Sequence, residues 1–236
     1  MDIVVVTTLE RTELLEQTID SMVKNAEGWS RHKLVVVCDL SGEEWDVRPS
    51  SLATKMVDRV IIHPSRKGAS ASRNVGAASI PRNHRQRLVM FSDDDCYYCP
   101  GWDVQMEGML AVSPRIAVSG HAHPYNLPAS EVLYMGRCRA RQATVLSTVQ
   151  MAMPWRVWDE IGGFMEPGGP GGSEDVEWCG RAVYEGVKLY VAEPQCVIHC
   201  GLTSTSGKQI VGYELMVKQN AELLRLYNLH NGVRIV

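Results

Sequence analysis

The chain has 236 residues, 45% of them apolar, and a net charge of −3. That length suits one large α/β domain, and the apolar share can build a sizeable core. The charge balance lacks the basic excess of a general nucleic-acid binder, so that class is disfavoured.

Met1 to Val6 has no basic n-region and only a short apolar run. No segment reaches about 18 uninterrupted apolar residues. Neither a secretory leader nor a stable membrane insertion is expected, and a cytoplasmic location follows. Seven cysteines in such a chain are expected to stay reduced.

In chain order, Ile3 to Thr7 is a β-branched run that reads as a buried strand. A helix over Thr12 to Asn25 follows, its apolar face made by Leu14, Leu15, Ile19, Met22 and Val23. Strands are expected at Lys33 to Cys38, Val57 to Ile62 and Leu88 to Ser92, with a small-residue helix from Gly68 to Ser79. This alternation predicts a mostly parallel sheet covered on both faces.

The second half is less regular. Ile116 to Ser119 and Thr148 to Met151 read as short strands, and Pro154 to Ile161 as a short helix. Pro167 to Gly172 is a glycine-rich loop. Ser173 then caps a helix from Glu174 to about Gly186. Lys188 to Ala192 and Gln195 to His199 are strands, and a last helix is expected over Gly212 to Tyr227.

The most telling chemistry is Asp93-Asp94-Asp95, at the end of an apolar strand. Three adjacent like charges repel, and a cation is the natural reason to gather them. Hard oxygen donors suit Mg²⁺ or Mn²⁺, which typically keeps part of its shell for substrate phosphates. Asp39 also ends a strand, and ligands of open α/β sheets bind beyond such ends. Cys96-x-x-Cys99 and Cys196-x-x-x-Cys200, with His199, form a weaker zinc alternative without compact ribbon spacing. His121 and His123 straddle a loop that surface placement would explain, and Trp155 is an equal choice between core and a sugar-stacking platform.

The order of motifs carries a resemblance. A strand ending in Thr7-Thr8 is followed by Arg11-x-Glu13-Leu14-Leu15, then Asp39 and Gly68-Ala69-Ser70-Ala71-Ser72-Arg73-Asn74-Val75-Gly76. The Asp93–Asp95 cluster comes next. Gly162-Gly163-Phe164, Ser173-Glu174-Asp175-Val176-Glu177 with Arg181, and Val197-Ile198-His199 complete the set. From Ile3 to about His199 the chain resembles the family 2-type glycosyltransferases with a GT-A fold.

That resemblance implies a single domain over residues 1–236. Residues 1–99 would form a Rossmann-like half for the nucleotide sugar, 100–200 an acceptor and catalytic half, and 201–236 a C-terminal loop and helix. It implies an inverting transfer from a nucleotide-diphosphate sugar, UDP-linked by preference, to an acceptor hydroxyl. The acceptor would be a glycan, a small molecule, a protein or a modified nucleobase.

Residue by residue, Asp39 matches the family's base-binding aspartate, and Arg73 an arginine near the nucleotide. Asp93 and Asp95 match the ends of its DxD motif, the first nearer the ribose and the last on the divalent ion, Mn²⁺ or Mg²⁺. Asp94 and Asp95 are both eligible as the main ligand. Glu174 and Asp175 match its E-D pair, with the aspartate as base, and His199 an additional ion ligand. Thr7, Thr8 and Glu10 occupy the base and ribose segment. There the chain has Thr7-Thr8-Leu9-Glu10 where the family often has Pro-Thr-Tyr-Asn, and Cys38-Asp39-Leu40-Ser41 where Asp-Asp-Gly-Ser is common.

Two other classes compete. A nucleotidyltransferase also uses strand-end aspartates and a metal, but would carry a basic glycine-rich loop where Thr7 to Thr12 holds only Arg11. A non-catalytic sugar- or nucleotide-binding domain need not keep Asp95, Asp175 and His199. Gly201 to Gly207, followed by Lys208, has the composition of a lid over the donor diphosphate.

Overall fold

Apolar runs without polar alternation make strands that are buried on both faces. β1 (Asp2–Thr7), β2 (Lys33–Asp39) and β4 (Leu88–Asp93) are of this kind and lie side by side. In the computed structural model, residues 1–8, 12–39, 56–121, 132–136, 138–166 and 174–200 are described. The expected 167–172 loop, the lid with Lys208, the helix over 212–227, Glu10 and His123 lie outside the described residues.

The remaining strands are β3 (Arg59–His63), β5 (Cys96–Tyr98), β6 (Ile116–Ser119), β7 (Val132–Met135), β8 (Cys138–Gln142), β9 (Gln150–Pro154), β10 (Lys188–Ala192) and β11 (Val197–His199). A nine-stranded sheet has the order β3-β2-β1-β4-β9-β6-β10-β8-β7. From β3 to β4 every pairing is parallel, whereas β9 and β8 run against their neighbours. The sheet is therefore mixed, with β8 and β9 opposed to the other strands. β11 and β5 form a separate antiparallel ribbon.

Alternate side chains of β1 feed two cores. Ile3 and Val5 pack with Leu15, Ile19 and Met22 of α1 (Thr12–Asn25) and with Trp102, Met106 and Met109 of α3 (Trp102–Leu110). Val4 faces the other way, into a cluster with Ala77 of α2 (Ala69–Ala78), Trp155 and Trp158 of α4 (Trp155–Ile161) and Trp178 of α5 (Glu174–Tyr184). Helices thus cover both faces, as the strand composition predicts. Among the described residues, no helix is long and apolar enough to cross a membrane.

Three local expectations change. β3 is not buried like its neighbours, because it is the sheet edge, and Val60 and Ile62 are exposed. The strand expected at Thr148 to Met151 is shifted to Gln150–Pro154, where it pairs with β4 in register Phe91 to Met151. α3 had no sequence signal of amphipathic spacing, and Gly108 in its interior is a weak helix former. That glycine has a packing reason: a Cβ there would lie 2.8 Å from Cys138 Sγ of β8.

A candidate metal and carboxylate site at the strand ends

Asp93 closes β4, and the turn after it is pinned from three sides. The Asp93 N–H donates to the Val149 carbonyl at 3.0 Å. Thr18 Oγ1 of α1 donates to the Asp94 carbonyl at 2.8 Å and accepts the Cys96 N–H at 3.0 Å. The Cys200 N–H donates to the Asp95 carbonyl at 2.8 Å, which ties the turn to the end of β11. His199 pairs in register with Cys96 and so arrives beside Asp95.

Asp93, Asp95 and His199 converge there, each offering a ligand atom within 4.8 Å of the others. His199 Nε2 lies 3.1 Å from Asp95 Oδ1, and the His199 side chain is 24% exposed. Among the described residues this is the single group of three or more such side chains. Asp94 stands outside it. Its Oδ2 accepts a 2.6 Å hydrogen bond from Thr7 Oγ1, and it is buried. Of the two aspartates that the sequence left eligible as main ligand, Asp95 is the one that lies in this group.

Arg73 joins the cluster to the second acidic pair. Its guanidinium donates to Asp93 Oδ1 at 2.5 Å and to Glu174 Oε1 at 2.9 Å. The side chain is 3% exposed. Burial alone would lower its pKa, but Asp93 and Glu174 outweigh that and raise it above the ordinary arginine value. Glu174 and Asp175 occupy the first turn of α5, where acids meet the positive end of the helix dipole. The Asp175 carboxyl is raised above its usual range, chiefly by burial and further by Glu174, against the Val176 N–H and Arg73. A carboxylate made more basic in this way suits proton abstraction.

Asn74, next to Arg73, fastens the segment before α5. Its side-chain amide donates to the Phe164 carbonyl and accepts the Phe164 N–H, both at 2.9 Å. Arg181 donates to the carbonyls of Ile161 and Gly163, and Trp178 Nε1 to that of Gly162 at 3.0 Å. The Gly162-Gly163-Phe164 motif is therefore anchored by α2 and α5 together. Asn74 was legible only as part of its motif.

The other sequence candidates are placed as follows. Asp39 is buried, and its two carboxylate oxygens accept the N–H groups of Lys67 (2.6 Å) and Gly68 (2.8 Å) at the entry to α2. Thr8 follows β1 and is half-buried. Trp155 is not a sugar platform: it is buried, its Nε1 donates to Asp2 Oδ2 at 2.7 Å, and Arg85 covers its ring. The zinc alternative also fails. Cys96, Cys99 and Cys196 are buried free thiols that join no ligand cluster, because they point into the core beneath the ribbon. Burial raises the Cys99 pKa to about 12. His121, expected at the surface, packs against the ring of His199.

No protein-family profile matches the sequence, and no curated protein matches it. Solved structures do. GalNAc-T7, in complex with UDP, GalNAc and Mn²⁺, matches with a TM-score of 0.68 at 16% identity, over 84% of this chain and 43% of its own. TarS of S. aureus gives 0.58 at 15% identity, over 80% and 34%. The mannosyltransferase PcManGT from Pyrobaculum calidifontis, in complex with GDP-Man and Mn²⁺, gives 0.59 at 15% identity, over 94% and 61%. The chain thus spans less than two thirds of the length of each. These neighbours are GT-A-type glycosyltransferases, and the likeness establishes that fold for this chain.

Proposed function

We propose that the protein is an inverting, metal-dependent glycosyltransferase that uses a nucleoside-diphosphate sugar, UDP-linked by preference, and an acceptor hydroxyl. The observation that carries this reading is one connected set of groups. Asp93, Asp95 and His199 converge at the end of β4, and Arg73 links Asp93 to the Glu174–Asp175 turn. Two of the structural neighbours are solved with Mn²⁺ and a nucleotide or nucleotide sugar.

The donor set fits a divalent ion such as Mn²⁺ or Mg²⁺. Two carboxylates supply hard oxygens, and the imidazole supplies a borderline nitrogen. Such an ion, when bound, offsets the charge that grows on a departing diphosphate. Asp93, Asp95 and His199 would hold it in a DxD-plus-histidine arrangement. Arg73 keeps Asp93 oriented and balances part of the acidic charge. Thr7, Thr8 and Asp39 would face the nucleoside, with Glu10 joining them by the resemblance alone and residues 1–99 as the donor half.

Asp175 would take the proton of the attacking hydroxyl. Its raised pKa supports that role, whereas Glu174 is committed to Arg73. Attack opposite the leaving diphosphate, assisted by one base, inverts the anomeric centre. Seven free thiols accord with a cytoplasmic setting.

The direct test is to incubate the protein with UDP- and GDP-sugars plus Mn²⁺ and to follow nucleotide release and the anomeric configuration of the product. No release from any donor, or a retained configuration, counts against the reading. A second test concerns the ion. Asp95→Ala is expected to abolish Mn²⁺-dependent nucleotide binding with the fold intact. Unchanged affinity for UDP and GDP by calorimetry would sink the assignment.

A further inference from the structure

The carboxyl end of β6 leads into one side chain, His121, that the proposed mechanism does not use. The Gly120 carbonyl accepts the N–H groups of Cys196 (2.9 Å) and Val197 (3.1 Å), which fastens β6 to the start of β11. The Gly120 N–H donates to Gln150 Oε1 at 2.5 Å, and Gln150 is buried. A side chain at 120 would force its neighbours to shift: a Cβ would lie 2.7 Å from Cys196 Sγ and 2.8 Å from Val197 Cγ2. The close approach of the two strands therefore depends on glycine.

The next residue is His121. Ser119 Oγ accepts its N–H at 3.0 Å and donates to its carbonyl at 2.7 Å, so its backbone is clamped. Its ring meets that of His199 edge-to-face, with centroids 5.8 Å apart and planes at 67°. His199 in turn directs Nε2 at Asp95 Oδ1, 3.1 Å away. His121 itself is outside the Asp93–Asp95–His199 group.

The terminal torsion of histidine is broad, so an imidazole on a three-residue strand needs a neighbour to fix its plane. Edge-to-face ring packing does this. We infer that His121 is a positioning residue for the metal site: its ring sets the orientation of the His199 imidazole, so that Nε2 faces the two carboxylates before any ion arrives. The role is one of shape and requires no proton on His121. This inference rests on the metal site proposed above.

The test uses Mn²⁺ alone, titrated into the full chain and read by the electron paramagnetic resonance of free Mn²⁺, with UDP or GDP added in parallel. His121→Ala should weaken Mn²⁺ binding by roughly tenfold or more, the usual scale for losing a group that orients a metal ligand. His121→Phe, which keeps a ring but no nitrogen, should stay within about threefold of the unaltered protein on the same scale. If the alanine variant folds poorly, His121→Leu takes its place, since it fills volume without a ring. Equal Mn²⁺ affinity in the unaltered and ring-less proteins overturns the inference and leaves the metal site standing. So does a phenylalanine variant as weak as alanine. No Mn²⁺ binding by the unaltered protein, with or without nucleotide, overturns the metal site and this inference together.

Discussion

Asp175→Asn should lower sugar transfer by about a hundredfold or more, the scale on which a lost general base is felt, and should also make the protein harder to melt. The substitution is nearly isosteric and leaves no proton acceptor. Its stability effect follows from linkage. Burial raises the folded pKa of Asp175 above the ordinary carboxylate value of 3.8. Between that value and the raised one, the native state binds more protons than the unfolded chain. Stability therefore falls as pH rises through this window, and the full penalty persists at neutral pH. An amide removes it. The same shift predicts that kcat/KM declines with acidification from a point above the ordinary carboxylate range. Rates across pH and thermal melts of both proteins check the two halves of the expectation. Transfer near the wild-type rate would acquit Asp175, and a lower melting temperature at pH 7 would contradict the burial penalty.

Arg73→Met should be the most destabilising single change at the site. It removes the one counter-charge that, among the described residues, is bonded to both Asp93 and Glu174. Breaking a buried ion pair by deleting one partner costs about 3–5 kcal/mol, because the other charges stay buried and uncompensated. Asp93 retains 27% exposure, which places the cost toward the lower end. Arg115→Met is the control. Its pairing with Glu160 is 42% and 44% exposed, and such surface pairs are worth about 0–1 kcal/mol. Lysine should not rescue position 73, since an ammonium cannot present the planar fork that spans two carboxylates. Urea unfolding of the three variants measures this. Equal midpoints for the methionine variants at 73 and 115 would show that the bridge contributes nothing.

Much of this was legible in the sequence for simple reasons. β1, β2 and β4 are unbroken apolar runs, and such runs have few alternatives to a sheet buried on both faces. The helix over Thr12–Asn25 announced its own limits by spacing. The acidic residues at 93–95 stood at a strand end, beyond which ligands of open α/β sheets bind, and those at 174–175 at a helix start, where acids meet the positive end of the dipole. What the sequence concealed were relations across long separations. Nothing local distinguishes Asp94, held by Thr7, from its neighbours 93 and 95. Trp155 carries no mark of its bond to Asp2, 153 residues away in sequence. β5 and β11 are three residues each, below the length at which periodicity means anything, and α3 hides behind an interior glycine that serves packing. His121 could be read only once β6 and β11 were seen to touch.

The β5–β11 ribbon also sets an order of events in time. It pairs residues 96–98 with 197–199, and closing a loop of roughly 100 residues carries an entropy cost that neighbouring contacts avoid. β1, β2, β4 and α1 can assemble from the first part of the chain, and Thr18 can hold the Asp94 carbonyl without it. His199 joins only when β11 docks. A chain emerging from the ribosome therefore carries the strand that bears its carboxylates well before the Val149 and Cys200 anchors and the imidazole that complete the group. The expected sequence in refolding is early amide protection across Asp2–Thr7 and late protection at Cys96–Tyr98 and Val197–His199. Pulse-labelled hydrogen exchange would detect the opposite order if the ribbon were a nucleus, and contact order makes it a closing step.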